Sequence, residues 1–147
     1  MLPSEVFMAA RDAHVDIGRI DAELGELSDS IGVQGHSDER HSKNGILDPS
    51  RQVIRKLVAE EEFKAERAEC MRSITEARRL LIGVRRTFGD DMADVIELYY
   101  VEGMSIGKTA RYVGQGVRVT EMMRDLAMRE CDRIGYVRLK EAGFADD

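Results

Sequence analysis

Between Ser105 and Arg124 the chain carries side chains suited to one kind of chemistry: Ser105, Lys108, Arg111, Gln115, Arg118, Glu121, Met122 and Arg124. Lysine and arginine meet phosphate oxygens or base edges in a groove, and a glutamate there can turn toward cytosine edges. No comparable grouping supports catalysis. The sequence has no Ser-His-Asp order, no HExxH and no phosphate loop. Cys70 and Cys131 lack metal-binding spacing. His36 and His41 flank Ser37-Asp38-Glu39-Arg40 in a loop-like stretch with no third ligand at a recognised spacing, and His14 falls at the polar edge of a helical pattern. Asp90, Asp91 and Asp94 suit a helix N-terminus, whose dipole favours acids. We expect no enzyme, no cofactor and no metal.

Elements of a particular kind must position the 105–124 group. Asp91 to Val101 reads as an acidic helix, broken at Glu102-Gly103-Met104, where Gly103 suits a left-handed cap. Ser105 caps the next helix, Ile106 to Val113, whose inward positions are Ile106, Ala110 and Val113. Gly114-Gln115-Gly116 is a turn, and a last helix runs from Val117 to Ile134 or Tyr136, with Val119, Met123, Leu126, Ala127, Cys131 and Ile134 at core spacing. The small Ala110 lets two helices cross closely, and Gly114 sets the angle of a helix-turn-helix. That arrangement offers the first turns of the helix at about 117–134 to a major groove, with Arg118 and Arg124 in the groove and Lys108 and Arg111 on phosphate.

The remainder reads as an all-α chain. Charged residues make up 34% of it and aromatics 5%, with no Trp and no sustained alternation of apolar and polar positions. The net charge of −6 excludes a uniformly basic nucleic-acid binder, yet residues 103–140 hold 8 basic against 4 acidic side chains. Residues 1–88 form an expected long helical hairpin. Its first helix, capped by Ser4, has a seam at Ile17, Ile20, Leu24, Leu27 and Ile31; its second, opened by Asp48-Pro49, runs to about Thr87. The apolar stripe of that second helix is Val53 or Ile54, Leu57, Phe63, Ala68, Met71, Ile74, Leu81, Val84 and Phe88. Residues 32–48, rich in Gly and polar side chains, are expected to be a flexible loop, and residues 138–147 a tail after the 90–137 module. An acidic first helix beside a basic second one suits antiparallel pairing within one chain or across a homo-oligomer, a dimer being favoured. With no secretion signal and no apolar run of bilayer length, a cytoplasmic protein that avoids membranes is expected.

Tyr100-Val101-Glu102-Gly103-Met104-Ser105, followed by Ala110, Val113-Gly114 and Ala127, resembles the region-4 pattern of bacterial sigma factors. With the two long helices before it, the whole layout is similar to small phage and prophage regulators of the ArpU/RinA type. Thr109, Gly116 and Thr120 depart from the pattern, which has Ile, a Ser or Thr cap, and an apolar residue there. The resemblance implies a sequence-specific transcription regulator whose partners are double-stranded DNA and RNA polymerase. A small-terminase-like DNA-packaging subunit, and an adaptor that binds polymerase through its acidic 90–102 face, are the alternatives.

Overall fold

The structure, a computed structural model, describes residues 1–41 and 49–144. It is all-α. Among the described residues six helices follow one another: α1 (Pro3–His41), α2 (Pro49–Phe88), α3 (Asp90–Ile96), α4 (Ile106–Val113), α5 (Val117–Ile134) and α6 (Tyr136–Phe144). A π turn, Glu97–Val101, continues α3. None of these helices is long and apolar enough to cross a membrane. The chain divides into two compact units, Met1–Val15 with Cys70–Asp147, and Asp16–Glu69.

In the Asp16–Glu69 unit, Arg19 reaches Glu66 at 2.6 Å and Arg67 reaches Asp21 at 2.9 Å. Those pairs dictate the sense of the hairpin. At 1.5 Å per residue α1 runs ~33 Å beyond Arg19, and α2 begins ~25 Å before Glu66. Parallel helices would leave ~58 Å to bridge, about twice the reach of the intervening chain, so the two run antiparallel. Ile20 is fully buried, and Ile17, Leu24 and Leu27 are half-buried beside it, as the seam requires. Helix α1 nevertheless continues to His41, through ten of the residues expected in a loop and through both His36 and His41. The remainder of that expected loop, residues 42–48, the Asp48 cap and the side chain of Ile31 lie outside the described residues. On α2, Val53, Ile54 and Leu57 are exposed, contrary to their place in the expected stripe.

The other unit is a helical module into which both long helices send an end. Val6, Phe7, Ala10 and Ala13 of α1 are buried, with Ile74, Ala77, Leu80, Leu81 and Val84 of α2. Met71, expected in that core, is exposed; Ala77 and Leu80 take the inward side. Ser4 is not the cap of α1: the helix starts at Pro3, and Ser4 donates to Asp132 of α5 through its backbone N (2.9 Å) and its Oγ (2.6 Å). Residues 138–144, expected as a tail, belong to α6, which is anchored by the fully buried Leu139. Gly83 on α2 lies so close to α6 that a Cβ there would overlap the Leu139 carbonyl, and a Cβ on Gly143 would stand 3.2 Å from the Gly83 nitrogen. Tyr136 donates to Glu76, and Arg86 donates to the Ala142 carbonyl at 3.3 Å, at either end of this crossing.

Neither cysteine is in a disulfide. Burial pushes the Cys131 thiol up to about 12, the neighbouring carboxylates of Asp132 and Glu130 adding to the shift. The group therefore contributes stability in full below its unfolded value of 9.0, and that contribution is lost as pH rises toward 12. Alkylation of the native protein at pH 8 is expected to modify the half-buried Cys70 and leave Cys131 intact until the module opens. Equal rates at the two sites would contradict the burial of Cys131 on α5.

Candidate nucleic-acid interface

Helices α4 and α5 meet at a turn built from local chemistry. The Ser105 Oγ accepts from the Lys108 N–H at 3.2 Å and so caps α4. At the other end Gly114 is left-handed, with φ +72°. The Gly114 N–H reaches the Arg111 carbonyl (3.3 Å) and the Gln115 N–H the Ala110 carbonyl (3.0 Å), the double closure of a Schellman end. Gly116 then supplies the cap of α5 without a side-chain bond. Ala110 and Ala127 are buried, as a close crossing of these helices needs.

Two of the departures from the sigma pattern become intelligible. Thr109 and Thr120 are fully buried, and each hydroxyl donates at 2.9 Å to the carbonyl four residues earlier, Ser105 and Gly116 respectively. With the hydroxyl satisfied by its own helix, a threonine presents the same methyl-bearing shape as valine to the core. Thr120 thereby sets the register of α5. Val119 and Leu126, expected in the core, each precede a buried neighbour by one residue, a 100° step, and both are exposed.

Of the eight side chains singled out in the sequence, five stand exposed along the turn and the outer side of the two helices: Lys108, Arg111, Gln115, Arg118 and Met122. Ser105 is also exposed, and its hydroxyl is occupied in the cap. Glu121 is half-buried. Arg124 differs from the rest: its guanidinium lies 4.8 Å from the centre of the Tyr99 ring and 3.0 Å from Asp125, with only a fifth of the side chain accessible. It braces the module where a groove contact was expected.

Tyr99 sits in the π turn, and its ring also receives the Arg11 guanidinium at 3.9 Å. The same Arg11 donates to the carbonyls of Tyr99 and of Met104, the latter at 2.9 Å. A helix end leaves carbonyls without intrahelical partners, and here a side chain from α1 supplies what is missing. Arg11 was not recognised from the sequence. Its one signal is that it is one of two basic residues among the first 35. Gly103, left-handed at φ +68°, passes over the His14 ring so closely that a Cβ would collide with it.

The acidic segment before the turn is less free than its composition suggests. Arg85 holds Asp90 at 2.8 Å, Asp94 at 2.9 Å and Glu97 at 3.0 Å, and hydrogen bonds to Asp90 and Asp94 lead the raising of its pKa. Among the described residues no three His, Cys, Asp or Glu side chains gather as a metal ion would need. Comparison with protein-family models, characterised proteins and solved structures finds no match to this chain.

Proposed function

We propose that this protein is a sequence-specific DNA-binding transcription regulator of the phage or prophage type, with α5 entering the major groove. The observation that supports it best is the α4–Gly114–α5 turn, a helix-turn-helix layout in which Lys108 and Arg111 on α4, Gln115 in the turn and Arg118 at the start of α5 are all exposed. Backbone contacts from Lys108 and Arg111 would set the position on the duplex, while Arg118 and Gln115 address base edges. Along α5 itself Arg118, Arg124, Arg129 and Arg133 are matched by Glu121, Asp125, Glu130 and Asp132. One module therefore gains little from charge alone, which favours two modules acting together through the long helices as a dimer. RNA polymerase is a further proposed partner and the cytoplasm the proposed location. The pairing of Arg85 with three of the carboxylates on 90–97 weakens the adaptor alternative.

Titration of duplex DNA at several salt concentrations tests the reading. Affinity should fall steeply with salt. Lys108→Ala should weaken every sequence alike and flatten the log–log salt slope by roughly one, whereas Arg118→Ala should mainly erase discrimination between sequences. Binding that is absent, or indifferent to salt, overturns it.

A further inference from the structure

We infer that the DNA face of α5 reads thymine methyl groups, through Val119 and Met122. The inference rests on the proposed DNA binding and adds which bases the helix selects. A helix of 3.6 residues per turn has one outward side, and on α5 it lies opposite Thr120, Ala127 and Cys131, all fully buried. Met122, 65% exposed, faces outward in the second turn, and Val119, half exposed, with Leu126 at 46%, stands beside it on one flank of that side. Spaced three and four residues apart, they form a continuous apolar strip on the part of the helix that a groove receives first.

The polar alternatives on this side are few. Arg124 is held against Tyr99 and Asp125, and Glu121 is half-buried. Among the described residues, Arg118 is therefore the one accessible basic side chain within the first two turns of α5. In the major groove the thymine methyl is the single apolar feature that a base pair presents. A helix that offers valine and methionine there gains contact energy only where thymines lie beneath them. The exposed basic side chains Lys108 and Arg111 on α4 and Arg118 and Arg129 on α5 favour DNA over a protein as the occupant by offering phosphate contacts, even though acids on α5 leave the helix itself with no net charge. Asp125, also exposed, faces outward next to Arg118 and Arg129, and its carboxylate is engaged by Arg124.

The experiment begins with selection of sequences bound by the full chain from random duplexes. Each thymine of the recovered site is then replaced singly by deoxyuridine, which removes only the methyl group. The expected result is a loss of roughly fourfold in affinity at two or more neighbouring positions, the worth of one buried methyl. At one of them the loss disappears in Met122→Ala and at another in Val119→Ala. Both substitutions lie at exposed helical sites where alanine preserves the helix. A recovered site whose thymines can all be replaced without effect overturns the inference and leaves DNA binding intact. Failure to recover any site overturns DNA binding itself. A change of oligomeric mass in either variant, with uracil still silent, assigns the strip to a protein contact instead.

Discussion

Gly83→Ala costs about 3 kcal/mol, which for a chain of this size corresponds to a fall of roughly 10 °C in melting temperature. The reason is geometric. A Cβ at Gly83 would overlap the Leu139 carbonyl, a backbone atom with no rotamer to retreat into, so α6 must move off α2. Moving it uncovers Leu139 and parts both Tyr136 from Glu76 and Arg86 from the Ala142 carbonyl. Gly143→Ala should cost less, since its Cβ would meet the Gly83 nitrogen at 3.2 Å and the Arg79 carbonyl at 3.4 Å. Gly18 and Gly25, inside α1 with nothing within 4 Å of an added methyl, give the opposite sign. Alanine there should stabilise by about 0.5–1 kcal/mol through helix propensity. Thermal unfolding followed by circular dichroism measures all four, and proteolysis at α6 reports its release. Equal effects at Gly83 and Gly18 would show that the α2–α6 crossing is not tight.

Arg11→Ala is expected to cost about 2 kcal/mol and to weaken the proposed DNA binding as well. Hydrogen bonds from a charged donor contribute about 1.5–3 kcal/mol, and this guanidinium serves two carbonyls and one aromatic face. Its loss leaves the end of the π turn without a donor and frees the Tyr99 ring on one side. Because Arg124 of α5 lies over that ring, the disturbance passes directly to the start of the proposed recognition helix. Arg11→Lys should restore part of the stability and little of the ring contact, since an ammonium lacks the planar fork. Denaturant unfolding of both variants, beside their affinity for one duplex, separates the effects. A loss below about 0.5 kcal/mol, the scale of an ordinary surface substitution, would mean that water replaces Arg11 without penalty.

What could be read from the sequence was the chemistry that acts over a few residues. Ser105, Gly103 and Gly114 were legible because a cap and a left-handed turn depend on the residue in place and its next neighbours. Thr109 and Thr120 were misleading for a related reason: their polarity counts against a core position, but the helix absorbs the hydroxyl and leaves the methyl. That misreading put Val119 on the inward side of α5 in place of Thr120, while Ala127 and Cys131 are buried as expected and Leu126, also expected there, is exposed. Arg11 and Arg124 were illegible in a stronger sense. Each finds its role on Tyr99, 88 residues from Arg11, and no periodicity records such a meeting. Gly83 did leave a trace: glycine inside Arg79-Leu80-Leu81-Ile82-Gly83-Val84-Arg85 costs about 1 kcal/mol of helix propensity, a penalty explained by the close approach of α6.

The bond from Ser4 to Asp132 joins residues 128 apart, and this separation governs the order in which the chain can assemble. Helical proteins usually fold fast because their contacts are local. Here α3, α4 and α5 can meet through short connections, but the module closes only when the first turns of α1 return across a very long loop. During synthesis Phe7 must wait until Tyr100, whose ring lies 6.2 Å from its own, has emerged, and Ser4 must wait longer still for Asp132 of α5. Docking of the first turns of α1 is therefore expected late in folding, with the interval before it the one most open to aggregation.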